Sequence, residues 1–270
     1  MTDDNVLATA YLTAVARAGA TSAGLLRDPY AARFAERCPS AVLGVMRHTA
    51  GPSAVVARTV AVDRLLSELL ARERAEVCVN LGAGFDSRPY RLAWPAGARV
   101  VEVDHAAVLD VKDALLPAAE ALVPVERARC DLGDLDALAR LLAPRTTGRR
   151  VVILAEGLLT YLPPAHLTAL ARCLAGLGAS AHWICDVLSV DSARALTEAA
   201  QSAGTRLDMF GLTDPGVLEA GGWQCEHLEL LPTARLAPRT GHTGHTPRTA
   251  TSALLPDGVL TLRASPPARD

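Results

Sequence analysis

The chain has 270 residues, the size of one large domain or of one domain with a cap. Half of them are hydrophobic and 21% are charged, so a sizeable core can be buried and a disordered chain is excluded. Twenty-seven Lys and Arg against 29 Asp and Glu leave a formal charge of −2, with no basic excess to neutralise phosphates, and generic nucleic-acid binding is disfavoured.

The mean hydropathy of +0.21 is high, but Ala, Val and Leu supply it in short pieces. Residues such as Glu156, Arg140 and Pro117 interrupt the apolar stretches, leaving no window of about 18 uncharged apolar residues to span a bilayer. The six cysteines show no CxxC pair and no Cys/His spacing that reads as a zinc site. They read as reduced thiols, three of them (Cys78, Cys130, Cys185) in or beside strand-like runs. The acidic start, Met1-Thr2-Asp3-Asp4, has no signal-peptide pattern, and a cytoplasmic protein is expected. Lys112 is the single lysine, which reads as codon bias.

Residues 6–20 and 28–37 read as helices, the second with Asp28 as N-cap and Pro29 at its first position. A long helix follows from Ser53, at its cap, to about Glu73, with an apolar stripe of Val56, Val60, Leu65, Leu66, Leu69 and Leu70. The pattern then changes. Strands are expected at 77–81, 100–104, 123–127, 151–155 and 180–187, alternating with helices at 105–119, 134–142, 164–177 and 191–203. This alternation argues for βαβ units and a parallel sheet, whose right-handed crossovers bring the strands' C-terminal ends, and any ligand site, to one edge. Residues 222–230 form a further strand-like run, and the Pro/Thr/Gly/His-rich stretch 232–248 reads as a loop. Ala250–Leu255 and Val259–Arg263 flank Pro256-Asp257-Gly258, a turn signal that predicts a final antiparallel hairpin. The tail, 264–270, reads as frayed.

Gly82-Ala83-Gly84 comes straight after the first strand, where small residues let a ligand approach the backbone. The third glycine of a dinucleotide fingerprint would fall at position 87, which is Ser87. Asp104 ends the second strand twenty residues after Gly84, the place of a carboxylate that accepts from ribose hydroxyls. A ribose-binding acid with a truncated glycine motif favours an adenosine ligand without a pyrophosphate, and S-adenosylmethionine fits. The bland alternative is a tight turn with a helix-capping Asp. Asp131-Leu132, after the third strand, offers a carboxylate for an adenine amine and a backbone N–H for a ring nitrogen; taken alone, Asp131 also reads as an N-cap. Glu156 follows the fourth strand among apolar residues and needs a cation, either the methionyl ammonium or a nearby arginine.

Taken in order, these segments resemble a known family. The runs Val79-Asn80-Leu81-Gly82-Ala83-Gly84-Phe85-Asp86-Ser87-Arg88-Pro89-Tyr90-Arg91-Leu92, Glu102-Val103-Asp104, Cys130-Asp131-Leu132 and Ala155-Glu156-Gly157-Leu158-Leu159-Thr160-Tyr161-Leu162 are similar to the leucine carboxyl methyltransferase family, which includes bacterial O-methyltransferases of secondary metabolism. The resemblance covers about residues 8–190. It implies an α/β class I methyltransferase fold: a Rossmann-like, seven-stranded, mostly parallel sheet with a C-terminal antiparallel hairpin. The helical cap would span residues 1–75 and the cofactor-binding core residues 76–270. It also implies that Arg58 holds the cofactor's carboxylate, where a guanidinium fork suits bidentate recognition. Gly82, Ala83, Gly84, Asp104, Asp131, Leu132 and Glu156 stand at cofactor-binding positions. Arg17 stands where the family can carry a lysine that also contacts the cofactor, and its guanidinium changes the reach. For Arg58 a surface ion pair is the alternative.

Methyl transfer from a sulfonium is an in-line displacement, so the enzyme must align donor and acceptor and exclude water. An ionised carboxylate acceptor needs no base, whereas a phenol or alcohol benefits from one. His105 lies on the adenosine side, His166 starts a helix and reads as exposed, His182 reads as a core histidine, and His242 and His245 sit in the expected loop. The lack of a base tilts the reading towards a carboxylate. Tyr161 is the candidate catalytic residue, placed to line the acceptor pocket or hydrogen-bond a carboxylate; its alternative is a packed aromatic. The cap and residues 190–215, with apolar Met209, Phe210 and Leu212, would enclose a small hydrophobic or peptide acceptor. No metal, nucleic-acid or membrane partner is expected. Three readings compete: a dinucleotide oxidoreductase, opposed by Ser87, Glu156 and the impossibility of a Tyr-x-x-x-Lys pair around Lys112; a nucleic-acid methyltransferase, opposed by net acidity and Ala155-Glu156-Gly157; and a regulator on the same fold.

Overall fold

The structure, a computed structural model, describes residues 3–40, 42–43, 51–202, 207–231 and 255–265. His242, His245, the 232–248 stretch, Ala250 and the last five residues lie outside the described residues. Helices α1 (Asp3–Ser22), α2 (Ala31–Ala35) and α3 (Gly51–Glu73) precede the first strand. The alternation then runs β1 (Val77–Leu81), α4 (Arg88–Arg91), β2 (Arg99–Asp104), α5 (Ala106–Leu115), β3 (Val125–Arg129), α6 (Leu135–Thr146), β4 (Arg150–Ala155), α7 (Pro164–Ala175), β5 (Ser180–Val187) and α8 (Val190–Ser202). The chain closes with α9 (Gly216–Glu219), β6 (Trp223–Leu230) and β7 (Gly258–Ala264).

The seven strands form one sheet in the order β3-β2-β1-β4-β5-β7-β6. Strands β1 to β5 pair in parallel, and β7 runs antiparallel between β5 and β6. The chain works outward from β1 in one direction and then crosses to β4 on its other side. That reversal opens a crevice beyond the C-terminal ends of β1 and β4.

Every residue of β1 is buried, as a strand covered on both faces requires. On one face Leu138 and Leu142 of α6 and Leu167, Leu170 and Leu174 of α7 pack on the alternate strand residues Val79, Val101, Ile153 and Trp183. On the other, Val62, Leu66, Leu69 and Leu70 of α3 meet Cys78, Val100, Val152 and Ile184. A third cluster joins α1 and α2 to the loop after β1, with Phe34 stacked on Phe85 and Tyr11 edge-on to it. Helix α1 also packs on α3 and α5, which places it over the crevice.

Four details differ from the expectation. Helix α2 is shorter than expected, and its N-cap is Tyr30 rather than Asp28, although Asp28 still accepts from the Ala31 N–H at 3.2 Å. Helix α3 starts two residues before Ser53, and Val60 is 47% exposed. Val60 lies two residues from Val62, about 200° around the helix, so it faces away from the sheet. Strand β3 sits two residues later than expected because it is an edge strand whose alternating charges hid the pattern. Its Arg127 reaches the fully buried Glu102 of β2 at 3.0 Å, and Lys112 meets the other oxygen of that carboxylate at 2.8 Å. Pro256-Asp257-Gly258 leads into β7, whose antiparallel partners are β5 on one side and β6, which ends at Leu230, on the other; the expected arm at 250–254 lies outside the described residues. Trp223 starts β6 with its indole N–H on the Ala171 carbonyl at 2.8 Å and its ring against Trp183.

Leu66 is fully buried between α3 and the sheet. Leu66→Ala is expected to lower the unfolding free energy by about 2–5 kcal/mol, the cost of a core cavity, in urea titration followed by circular dichroism.

Candidate functional site

The crevice is a cavity of about 740 Å³. Its floor is made of loops leaving the C-terminal ends of β1, β2, β3, β4 and β5; its walls are α1, α8 and the segment 207–209. All nine residues expected to bind a cofactor, and Tyr161, line it.

The loop after β1 is tight. Gly82 and Gly84 take φ of 62° and 45°, a region that L side chains rarely adopt. The Gly84 N–H donates to Asp104 at 2.7 Å, and the His105 N–H donates to its other oxygen at 2.7 Å. Burial pushes the Asp104 carboxyl up, while these two N–H groups pull it back. The same loop is stitched to α1 by Arg17, whose Nε donates to Asp28 at 2.9 Å and whose Nη2 donates to the Phe85 carbonyl at 2.7 Å. Asp28 also accepts from the Ala31 N–H and from the Ser87 hydroxyl.

Asp131 is exposed, and its side chain accepts from the Gly133 N–H at 2.8 Å. The N-cap of α6 is Asp134, not Asp131. Leu132 is buried, and its carbonyl lies 2.9 Å from His166 Nε2. His166 is therefore half-buried and lines the cavity, contrary to the exposed position expected of it. His182 is a buried strand residue near Glu73, and burial lowers its pKa.

The centre of the site is ionic. Arg58, on α3, donates from Nε to Glu156 at 2.9 Å and from Nη1 to Asp186 at 3.0 Å. Arg88 meets the other Glu156 oxygen at 2.6 Å, Asp63 at 2.6 Å and Asp86 at 3.1 Å. Of the two cations weighed for Glu156, the described structure supplies arginine, twice. Burial alone would raise the Glu156 carboxyl; Arg88 and then Arg58 outweigh it and hold it down at about 2. Gly157 follows with φ 66°, its N–H donating to Asp186 at 2.5 Å, and a Cβ there would meet the Arg58 guanidinium at 3.2 Å. Tyr161 ends the short helix Leu159–Tyr161, and burial raises its phenol further than nearby Arg58 lowers it.

Four participants went unread in the sequence: Asp86, Arg88, Asp186 and Asp257. Asp186 carries the same signal as Asp104 and Glu156, a carboxylate closing an apolar strand, in Cys185-Asp186-Val187. Among the apolar residues at 207–212, Met209 lines the cavity, Leu212 joins the core, and Phe210 is exposed with its N–H on the Thr160 carbonyl. Among the described residues no group of His, Cys, Asp and Glu could hold a metal ion, and no helix is long and apolar enough to cross a membrane.

Residues 7–175 match the family model described as leucine carboxyl methyltransferase. The chain belongs to that family. A Mycobacterium avium protein provisionally named an S-adenosyl-L-methionine-dependent methyltransferase is 32% identical, covering 89% of this chain and 90% of its own. A Frankia alni protein of the same provisional name is 31% identical over 82% of this chain and 76% of its own. Among solved structures, a provisionally named methyltransferase of Thermobifida fusca aligns with a TM-score of 0.57 at 18% identity, covering 84% of this chain and 88% of its own. Magnesium protoporphyrin IX methyltransferase of Synechocystis, solved with bound S-adenosylhomocysteine, gives 0.52 at 15% identity, covering 79% and 85%. The fold of this leucine carboxyl methyltransferase family member is thus that of the class I methyltransferases, antiparallel final strands included.

A carboxyl held at about 2 in the folded chain, against an ordinary 4.5, contributes stability above pH 4.5 that is lost as pH falls through about 2. The difference in unfolding free energy between the wild-type and Glu156→Gln proteins is expected to be constant near neutrality. It should shrink from about pH 4.5 downwards, in urea titrations across a pH series.

Proposed function

We propose that the chain transfers a methyl group from S-adenosylmethionine to an oxygen atom of a small, largely apolar metabolite or peptide. As a family member it is an S-adenosylmethionine-dependent methyltransferase; the acceptor atom and the nature of the acceptor are the proposal. One observation carries it: a single cavity has a carboxylate-rich floor on the strand ends and a mainly apolar wall of α1, α8 and residues 207–209. Such a space takes two reactants side by side, one polar and cationic, the other apolar.

The residues on the floor fit the cofactor. Asp86, Asp104, Asp131, Glu156, Asp186 and Asp257 line the cavity beside only three arginines among the described residues, a balance that suits a ligand bearing a sulfonium and an ammonium. Two glycines without Cβ leave backbone open beside Asp104. Asp104 would take the ribose hydroxyls, and Asp131 with the Leu132 N–H the adenine edge. The amino-acid end would lie at the Arg58–Glu156 pair, where both an anion and a cation are already in place for a zwitterion.

When bound, the cofactor supplies an electrophilic methyl group. The chain's contribution is alignment and exclusion of water. The ionic cluster fixes Arg58 and Glu156 from three sides, so the site is ordered before ligand arrives. Tyr161 stays a neutral phenol at physiological pH, which makes it a hydrogen-bond donor to an acceptor oxygen and not a base. The free thiols of all six cysteines support a reducing, cytosolic setting.

Asp104→Ala removes a buried charged acceptor. Affinity for S-adenosylhomocysteine is expected to fall by about 10- to 100-fold, the range for a lost hydrogen bond to a charged group. Isothermal titration calorimetry reads this, and unchanged affinity in a cooperatively folding variant removes Asp104 from the site.

A further inference from the structure

Asp257 stands just before β7 and is 8% exposed, yet it lines the cavity. One of its oxygens accepts from the Ser189 N–H at 2.7 Å and the other from the Ser192 hydroxyl at 2.7 Å. Ser192 lies in the first turn of α8 and also lines the cavity. Its own N–H is taken by the Ser189 hydroxyl. A serine has one hydroxyl proton, and here Asp257 holds it. What Ser192 Oγ can still offer a ligand is lone pairs alone.

The surroundings sharpen the consequence. Leu188, Ala195, Leu196, Leu207 and Met209 line the same wall, so charge placed there is poorly screened. The arginines of the lining pair with acids away from this wall: Arg17 with Asp28, Arg58 with Glu156 and Asp186, where the cofactor's amino-acid end is proposed to lie, and Arg88 with Asp63, Asp86 and Glu156. An ionised carboxylic acid, which carries only lone pairs and a negative charge, would meet Ser192 Oγ and the Asp257 carboxylate with repulsion on both counts. A neutral hydroxyl group donates to Ser192 Oγ and completes a chain of hydrogen bonds ending on Asp257; as its oxygen bonds the methyl carbon and the S–CH3 bond breaks, its proton passes to Ser192 Oγ and the Ser192 proton to Asp257.

We infer that the Ser192–Asp257 pair is the acceptor-recognition element of this site, and that the acceptor is an apolar alcohol or phenol presenting a neutral hydroxyl to it. This rests on the methyl-transfer reading and narrows it: where the sequence tilts towards a carboxylate acceptor, the Ser192–Asp257 pair favours a hydroxyl. Ser192 is assigned as a specificity residue that touches the acceptor, with Asp257 orienting it.

The test uses the full chain saturated with S-adenosylhomocysteine, its binding first checked by calorimetry. 4-Butylphenol and 4-butylbenzoate, alike in their apolar body, are then titrated at neutral pH, where the phenol is neutral and the benzoate ionised. The phenol is expected to bind about ten-fold tighter or more, since a site that hydrogen-bonds a hydroxyl discriminates strongly against a group that cannot donate. Ser192→Ala is expected to bring the two within about three-fold of each other while S-adenosylhomocysteine affinity stays unchanged, and Ser192→Thr, which restores a hydroxyl, to recover the preference. Equal or tighter benzoate binding, binding of neither probe, or a preference that survives in Ser192→Ala overturns the inference alone. Failure of S-adenosylhomocysteine to bind overturns the methyl-transfer reading and this inference with it.

Discussion

Glu156 held between two arginines is the interaction on which the rest of the site depends. A carboxylate at the end of a buried strand is costly to desolvate, and one cation on one side would leave an oxygen unmet. Arg58 and Arg88 take one oxygen each. Each arginine then needs more negative charge of its own, and finds it on Asp186 for one and on Asp63 and Asp86 for the other. The result is a cluster drawn from α3, the loop after β1, the start of α4, and the ends of β4 and β5. It sits where the strand order reverses, so the same charges that close the crevice in the fold define its floor.

The cluster also explains local choices in the backbone. Gly157 takes a φ of 66°, which L side chains rarely adopt, a Cβ there would crowd the Arg58 guanidinium at 3.2 Å, and its N–H is taken by Asp186. Asp186 thus holds both the guanidinium and the loop that carries Glu156. On the other side of the crevice, Asp28 gathers Arg17, Ser87 and the first turn of α2, which fastens α1 to the glycine loop. Helix α1 is in this way both a wall of the cavity and a buttress of the loop beside Asp104.

Much of this was legible in the sequence wherever a local rule applied. Apolar runs of five or so residues marked the parallel strands, and acids at their ends marked Asp104, Asp131 and Glu156. The same rule applies to Asp186, which stands at the end of the fifth strand. What escaped depended on distant partners. The stripe on α3 was misjudged at Val60 because the sheet, not the helix, decides which face is inward. Strand β3 was displaced because its charges are satisfied by Glu102, Asp113 and Asp110 across the edge of the sheet. Pro256-Asp257-Gly258 has the composition of a turn, but the Asp257 carboxylate is used 65 residues away, on Ser192. Turn chemistry and helix capping ask for the same residue types, so only the tertiary structure separates them.

Arg17 shows how far a family resemblance carries and where the chain's own residues take over. A lysine at that position is a single charge on a flexible stem, free to follow a ligand. The guanidinium is a planar fork with donors in fixed directions. Here one arm of the fork lies on Asp28 and another on the Phe85 carbonyl, in a setting where the residue is 8% exposed. A lysine ammonium could not span an acid on the α2 side and a carbonyl in the glycine loop with the same geometry. Arginine at this position therefore couples α1 to the floor of the site as part of the scaffold. The charge that would hold the cofactor's carboxylate is correspondingly concentrated on Arg58, whose own orientation rests on Glu156 and Asp186.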